Sequence, residues 1–164
     1  MKPVPLQDLF NIDELQTRYI DALDRKDMAG WLATFTEAPD ASYICTTQEN
    51  LDRGLPLALM LDDCHARLQD RVTYITKIWA GTFQDYRTRH FTQRVSTEML
   101  PGNRVRVRTN FTVIYTPEDT GSSEILSAGV YDDIVSLAGD RAQFLAKKAV
   151  TDTSVLPRYL VYPL

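Results

Sequence analysis

The amino-acid sequence predicts an α+β fold, in which helices come first and a long, curved, mainly antiparallel sheet follows. Near the N-terminus, apolar residues recur at spacings of three and four, which is typical of a helix with one buried face. This face consists of Ile12, Leu15, Tyr19 and Leu23. In the second half, four segments are rich in Val, Thr and aromatic residues, and in one of them apolar and polar residues alternate with the period of two that strands show.

Capping residues predict where the first helices begin. Asn11 or Asp13 can cap a first helix that runs to about Arg25. Asp27 is then expected to be the N-cap of a short second helix, and Pro39 ends this region. The buried side of the second helix is expected to hold Trp31, Leu32 and Phe35.

The segment between residues 42 and 81 predicts a strand, a loop and a longer helix. Residues 42–45 are a candidate short strand, and the polar residues 46–54 are expected to form a surface loop. A helix is expected to start near Pro56, whose missing N–H does no harm in a first turn. Its core stripe would follow a period near 3.6 through Leu57, Leu61, Cys64, Leu68 and Val72. This helix is expected to end or restart within 72–79.

Four strands are expected over residues 90–100, 104–115, 124–137 and 141–150. A tight turn at 101–103, with the sequence Pro-Gly-Asn, joins the first two. In the second strand, Arg104, Arg106 and Arg108 should share one face. Strands of ten to twelve residues reach roughly 35–40 Å at ~3.3 Å per residue, so the sheet is expected to twist and curl.

Size and composition narrow the functional class. The chain is expected to fold as a single domain over residues 1–164, and its hydrophobic fraction of 44% is ordinary for a soluble protein. A net charge of −4 and a pI near 5.1 argue against nucleic acid as a partner, since phosphate binding needs a basic face. No apolar run approaches the roughly 20 residues that span a bilayer. The two cysteines make no disulfide framework, so a cytoplasmic location is expected.

The histidines and cysteines do not form a recognisable metal motif. A Rieske cluster needs close-spaced Cys/His pairs, and mononuclear non-haem iron needs two histidines and a carboxylate. The chain has two histidines, His65 and His90, and two cysteines, Cys45 and Cys64. Cys64 and His65 are adjacent, so their side chains would diverge by ~100° on a helix. No metal or cofactor site is therefore expected in this chain.

Asp24, Tyr43 and His90 are a candidate acid–base set. If they converge at the mouth of an apolar pocket, they supply the groups that general acid–base catalysis needs. No nucleophile elbow and no glycine-rich phosphate loop is present in the sequence. His90 also follows Arg87 and Arg89, so it is expected to form salt bridges or hydrogen bonds with Asp or Glu from another strand or another chain.

An ordered set of short motifs covers nearly the whole chain. The motifs are Tyr19, Trp31 and Phe35; Asp70-Arg71-Val72; Arg87-x-Arg89-His90; Asn110-Phe111 with Val113 and Tyr115; Gly129 with Tyr131 and Asp133; and Val150-Thr151-Asp152. In order and spacing they resemble the small (β) subunit of Rieske-type aromatic-ring-hydroxylating dioxygenases. Residues 49–57 and the ending 162–164 are similar to the branch that serves substituted benzoates, namely salicylate 5-hydroxylase, terephthalate dioxygenase and anthranilate or halobenzoate dioxygenases.

The resemblance implies a cystatin-like or NTF2-like cone, with the N-terminal helices packed in the sheet. It implies a non-catalytic structural subunit that assembles with a large α subunit, typically as an α3β3 hexamer with β–β contacts. It also implies that the α subunit carries a Rieske [2Fe–2S] cluster and a mononuclear Fe(II), and that NAD(P)H is the ultimate electron donor. The β subunit would mainly shape the assembly of an enzyme of aromatic-compound catabolism.

The charge pattern places a candidate subunit boundary within such an assembly. Arg87, Arg89 and His90 crowd three cationic or near-cationic groups into four residues, which is costly unless opposite charge compensates them. They are expected at or near the boundary, within reach of Asp132 or Asp133.

Two other interpretations of the sequence stay open. On the same fold, ketosteroid isomerase and scytalone dehydratase use Asp, Tyr and His, so a stand-alone isomerase or dehydratase would use Asp24, Tyr43 and His90 as catalytic residues. A small-ligand-binding protein without an enzyme partner is the other alternative.

Overall fold

The computed structural model describes residues 3–164, in which the N-terminal helices pack against the inner face of a single six-stranded sheet. The helices are α1 (Leu6–Asp24), α2 (Met28–Leu32), α3 (Gln48–Asp52) and α4 (His65–Thr73), and α4 continues into a π-helical turn (Tyr74–Ile78). The strands are β1 (Ser42–Thr47), β2 (Met60–Asp62), β3 (Tyr86–Leu100), β4 (Arg104–Pro117), β5 (Glu124–Ser136) and β6 (Gln143–Thr151). This order is the α+β arrangement that the sequence predicts.

The strands lie in the order β2-β1-β6-β5-β4-β3, so β2 and β3 form the two edges of the sheet. All neighbouring pairs are antiparallel except β1 with β6, which run parallel. The register shifts at three places, in the β3–β4, β4–β5 and β5–β6 pairs. Such irregularities increase the local twist, which lets strands of 13 to 15 residues curl around the helices.

The core lies between α1, α2 and the inner face of the sheet, and it is rich in aromatic side chains. Tyr19, on the predicted apolar face of α1, is fully buried. Its ring makes edge-to-face contacts with Phe35, Tyr131 and Phe144, with centroids 5.5–6.3 Å apart. This geometry is the one that aromatic pairs favour, so the contacts hold α1 against the centre of the sheet.

Helix α1 begins earlier than predicted, at Leu6 rather than near Asn11 or Asp13. The cap residue is Pro5, with φ −59° and ψ 149°, and a proline side chain makes no capping hydrogen bond. A prediction that relies on Ser, Thr, Asp or Asn caps therefore misses this start. The prediction for α2 is confirmed, because the Asp27 carboxylate accepts a hydrogen bond from the Gly30 N–H at 2.8 Å.

The predicted helix from Pro56 through Val72 is wrong in its first half. Met60–Asp62 forms the edge strand β2, and helix α4 begins only at His65. Leu57 and Leu61 are 58% and 47% exposed, whereas Met60 is buried. Exposed and buried side chains therefore alternate in this segment with the period of two that a strand has. The prediction had fitted the same leucines to a helical period of 3.6.

The predicted loop at 46–54 also needs correction, while the four long strands are confirmed. Thr46 and Thr47 complete β1, and Thr47 then caps the short helix α3 by accepting a hydrogen bond from the Asn50 N–H. At the predicted turn between β3 and β4, Gly102 and Asn103 have φ values of 77° and 53°. Gly and Asn tolerate this left-handed conformation better than other residues do, which explains the tight reversal.

Candidate functional site

A carboxylate at the end of α1 is bound to the edge strand β3. Asp24, the last residue of α1, lies with its Oδ1 atom 2.6 Å from His90 Nδ1 and 2.9 Å from the Thr88 hydroxyl. Its Oδ2 atom accepts the backbone N–H of His90 at 3.1 Å. An acidic residue is unfavourable at a helix C-terminus, and these three hydrogen bonds compensate for that position.

The electrostatics of Asp24 follow from this contact. Burial acts to raise the pKa of the carboxyl, but the hydrogen bonds and charge of His90 outweigh it and hold the pKa below its ordinary value. The carboxylate is therefore the favoured form, and His90 Nδ1–H is the donor to it. The other ring nitrogen, Nε2, is buried and has no hydrogen-bond partner among the described residues. Asp24, which is partly buried, thus fixes the ring orientation of the buried His90.

The third member of the candidate acid–base set has other partners. The Tyr43 hydroxyl accepts the backbone N–H of Leu164 at 2.8 Å, and it lies 3.4 Å from the carbonyl oxygen of the same residue. Tyr19 donates to that carbonyl at 2.7 Å, and burial raises the pKa of the Tyr43 hydroxyl well above its usual range. The structure therefore brings Asp24 and His90 together, while Tyr43 anchors Leu164.

Lys26 joins the Asp24 cluster, and sequence reasoning did not single it out. Its ammonium group lies 3.5 Å from the Thr88 hydroxyl and 3.8 Å from the ring centroid of Tyr162. Burial lowers the pKa of Lys26 to about 8. A lysine just after a helix end is ordinarily exposed, so no local signal indicated this cation–π contact.

A second buried cluster, also missed from the sequence, centres on Lys147 and Asp133. The Lys147 ammonium lies 2.9 Å from Asp133 Oδ2 and 3.2 Å from Gln16 Oε1, and both charged side chains are at most 1% exposed. Burial raises the pKa of Asp133 to about 6 and lowers the pKa of Lys147, although their mutual attraction opposes both shifts. The sequence did contain a signal, because Asp133 is in phase with the inward-facing Tyr131.

The residues of the predicted subunit boundary fall on two faces of the sheet. Arg87 and Arg89 are exposed on the edge strand β3, whereas His90 and Asp133 point into the core. Asp132 lies on the outer face, where Arg106 donates to it at 2.8 Å and 2.6 Å and holds its pKa below the ordinary value.

Within one chain, Arg87 and Arg89 do not pair with Asp132 or Asp133. Strand β4 separates β3 from β5, and both acidic residues are bound to other cations. The sequence-based expectation that Arg104, Arg106 and Arg108 share one face is confirmed, since all three are exposed beside buried valines.

Within residues 3–164 there is no group of three or more His, Cys, Asp and Glu side chains placed to hold a metal ion. Cys45 is buried in β1, and burial raises the pKa of its thiol to about 12. Cys64 is half-buried, and His65 begins α4. Among the same residues, no helix has the length and apolar character needed to cross a bilayer.

The helices, the curved sheet and the aromatic core together define a cystatin-like α+β protein. A solved protein from Nostoc punctiforme, described as having a cystatin-like fold, superimposes with a TM-score of 0.65 at 16% identity, covering 95% of this chain and 98% of that one. A likeness at this identity establishes the fold and no more.

The chain belongs to the ring hydroxylating beta subunit family, whose model matches residues 18–158. The anthranilate 1,2-dioxygenase small subunit of Burkholderia cepacia is 30% identical over 155 residues, covering 94% of this chain and 93% of that protein. The solved beta subunit of a putative aromatic-ring-hydroxylating dioxygenase from Novosphingobium aromaticivorans is 28% identical. Its TM-score is 0.79, with 92% of each chain covered. Membership in this family does not favour the isomerase or dehydratase alternative.

Proposed function

We propose that this chain, as one domain over residues 1–164, is the non-catalytic structural β subunit of a multicomponent aromatic-ring-hydroxylating dioxygenase. The observation that carries the proposal is the family match over residues 18–158, which includes the helix–sheet core and all four long strands. A named small subunit of a dioxygenase is similar to the chain over nearly its full length. The protein is proposed to act in the cytoplasm, in the catabolism of aromatic compounds.

The proposed partner is an α subunit that carries the Rieske [2Fe–2S] cluster and the mononuclear Fe(II), with electrons derived from NAD(P)H. Two of the four histidine and cysteine side chains of this chain are already engaged or buried. His90 is bound to Asp24, and Cys45 is buried in the sheet. We therefore assign the redox chemistry to the partner.

The surface of the chain supports an assembly role. Five leucines of one short segment are between 37% and 58% exposed: Leu51, Leu55, Leu57, Leu59 and Leu61. A contiguous run of exposed apolar side chains is a common mark of a protein–protein contact. The segment includes the edge strand β2, whose outer side lacks a strand neighbour among the described residues. Together these features suit a subunit that is covered on assembly.

The opposite edge of the sheet supplies the charged part of the proposed boundary. Arg87 and Arg89 point outward from β3. The next residue, His90, points into the core and is held there by Asp24. Among the described residues the Arg89 guanidinium donates only to the backbone carbonyl of Thr88, at 2.8 Å, so it retains donors for an acidic group of another subunit. Asp132 would contribute by holding Arg106 in place on the outer face. Asp133 is buried and would contribute indirectly, by stabilising β5 through its pair with Lys147. We propose that these contacts contribute to an α3β3 hexamer with β–β contacts.

The proposed substrate class is a substituted benzoate. Its support is the similarity to the small subunit of anthranilate 1,2-dioxygenase, since anthranilate is an amino-substituted benzoate. Substrate identity would be decided in the α subunit, so the test of this point is the activity of the complete enzyme on a panel of benzoates.

The proposed function is tested by expressing this chain alone and together with the α subunit encoded beside it. Alone, it is expected to purify colourless and free of iron. Together, the two chains are expected to co-purify as a brown complex that contains iron and labile sulfide. An iron-loaded α subunit that never retains this chain would contradict the proposal.

A further inference from the structure

Residues 158–164 form a segment, which we call the strap, that has no helical or strand structure. Among the described residues, no backbone-to-backbone hydrogen bond joins the strap to the rest of the fold. Residues 161–164 are nevertheless all buried, and three of them, Val161, Tyr162 and Leu164, belong to the core. Buried N–H and C=O groups are nearly always hydrogen-bonded, so the strap must find its partners among side chains.

Tyrosine hydroxyls supply those partners. The Tyr43 hydroxyl accepts the N–H of Leu164 at 2.8 Å, and the Tyr19 hydroxyl donates to the carbonyl of Leu164 at 2.7 Å. The Tyr86 hydroxyl accepts the N–H of Val161 at 3.5 Å. All three tyrosines are buried, so water does not compete for these hydroxyls. The fold therefore holds the backbone of the strap with a few polar side chains in an apolar setting, in the way that a protein site holds a ligand.

Tyr162 is the aromatic anchor of the strap. Its ring makes edge-to-face contacts with Phe83 and Tyr86, with ring centroids 5.9 Å and 5.7 Å away. The Lys26 ammonium lies 3.8 Å from the centroid of the same ring, and the Tyr162 hydroxyl donates to Asp85 at 3.3 Å. Buried aromatic side chains carry a large share of the free energy with which one segment binds another. The attachment of the strap therefore depends strongly on Tyr162.

The strap and the sheet are held in different ways. Strand β4 pairs with β3 on one side and with β5 on the other, so its release breaks two ladders of backbone hydrogen bonds. The release of the strap breaks contacts with side chains and leaves every ladder intact. Segments with few backbone hydrogen bonds open at a lower free energy than central strands do. The strap is therefore expected to detach while the sheet stays folded, which leaves the hydroxyls of Tyr19 and Tyr43 without their partner.

We propose that the strap occupies an interior peptide-binding site of this chain and detaches from it as one unit. The site accepts a tyrosine ring against Lys26, Phe83 and Tyr86. Two positions further along the bound segment, it holds one backbone N–H and one backbone carbonyl on the hydroxyls of Tyr43 and Tyr19. The site and its occupant belong to the same chain, so neither depends on the proposed function.

Hydrogen exchange of the full chain, followed by NMR, tests the detachment. The amides of Val161 and Leu164 are expected to show equal protection factors, at least about tenfold smaller than that of Val113 in β4. Their exchange should depend only weakly on urea, because detachment exposes much less surface than unfolding does. If the Leu164 amide exchanges with the protection factor and the urea dependence of Val113, the strap opens only when the whole chain unfolds, and the proposal is overturned.

A nearly isosteric variant tests the hydroxyl contacts. Tyr43→Phe removes the acceptor of the Leu164 N–H and is expected to lower the protection of the Val161 and Leu164 amides together, about fivefold or more. Tyr131→Phe is the matched control, because the buried Tyr131 hydroxyl has no hydrogen-bond partner among the described residues. It should leave both protection factors unchanged. Equal protection of the Leu164 amide in the two variants would contradict the proposed site.

A free peptide with the sequence of residues 158–164, amidated at its end, tests the site directly. Tyr162→Ala loosens the strap of the full chain, so this variant is expected to bind the labelled peptide at least about tenfold more tightly than the original protein does. Tyr159→Ala is the matched control within the strap, because Tyr159 is 58% exposed. It should bind the peptide as weakly as the original protein. A Tyr162→Ala variant that is folded by circular dichroism but does not bind the peptide would overturn the proposal.

Discussion

Asp24 Oδ1 lies 2.6 Å from His90 Nδ1, which joins the last residue of α1 to the inner face of the edge strand β3. The two residues are 66 positions apart in the chain. The contact therefore links the helical layer to a strand whose one strand neighbour within residues 3–164 is β4. It fixes β3 at the position where Arg89 points outward.

Replacing Asp24 with Asn should destabilise the protein by roughly 1–3 kcal/mol at neutral pH, since the hydrogen bonds to an ionised acceptor are weakened. The folded-state pKa of Asp24 lies below its ordinary value of 3.8. Its contribution is therefore present above that value and is lost as the pH falls through the folded-state pKa. Urea unfolding should show a large difference from the original protein at about pH 7 and a small one at about pH 3.

Asp21→Asn is the control for this prediction, because Asp21 is one turn earlier and pairs only with the exposed Arg25. That change should stay within about 0.5 kcal/mol. If Asp24→Asn behaves like Asp21→Asn, the contact with His90 contributes nothing to stability.

Replacing Lys147 with Met should cost roughly 3–5 kcal/mol, because it leaves the Asp133 carboxylate buried without its cation. Burial raises the pKa of Asp133 from its ordinary value of 3.8 to about 6. Proton binding by Asp133 therefore stabilises the folded state fully below pH 3.8, and this contribution is lost as the pH rises through about 6. Without Lys147 the pKa rises further. The loss of stability in Lys147→Met should therefore be larger at about pH 8 than at about pH 5 in denaturant titrations.

Lys148→Met is the matched control, since Lys148 is adjacent and only half-buried. It should have little effect at either pH. The double variant Asp133→Leu with Lys147→Met should recover most of the lost stability, since apolar residues often replace a buried ion pair at little cost. A double variant that is as unstable as Lys147→Met would indicate that the loss comes from packing instead.

Replacing Gly129 with Ala should destabilise the sheet by at least about 1–3 kcal/mol through overpacking. A Cβ atom built at Gly129 would lie 2.0 Å from the backbone carbonyl oxygen of Val150. This oxygen belongs to strand β6, so neither strand can move aside without disturbing the hydrogen bonds between β5 and β6. Thermal unfolding measures the effect, and Gly139→Ala is the control, because its nearest atom is 3.8 Å away. Equal melting temperatures for the two variants would contradict the close approach.

Replacing Arg89 with Ala should weaken subunit assembly while leaving the fold intact. The Arg89 side chain is exposed and donates a hydrogen bond to the backbone carbonyl of Thr88, so its loss should cost the isolated subunit little. Sedimentation should show a shift to smaller species for Arg89→Ala. Arg25→Ala is the control, because the Arg25 side chain is 66% exposed and pairs with Asp21 within the same helical region. Normal assembly of the Arg89 variant would assign Arg89 to the free surface.

The long strands and the buried face of α1 could be predicted from the sequence, because each has an unbroken period of two or of 3.6. The segment after Pro56 could not, since Leu57 and Leu61 fit a helical stripe as well as an alternating strand. Only the pairing of β2 with β1, through contacts such as Tyr43 with Asp62, decides between them. A single sequence does not reveal that pairing.

The candidate site was predictable only in part. The sequence predicted that His90 binds an acidic side chain from another strand or another chain. Its partner is Asp24, which lies in α1. The Lys147–Asp133 pair was missed because charged residues are rarely placed in a core, although both residues are in phase with buried neighbours. Both contacts arise because separate segments of the chain pack together in the fold. Local periodicity does not predict which segments will pack together.

Native mass spectrometry of this chain mixed with its purified α subunit tests the central claim most directly. We expect a dominant species with three copies of each chain, in which the iron remains with α and this chain contributes none. A spectrum that shows only free α and free β, under conditions where α retains its iron, would contradict the assignment of this chain as a structural subunit.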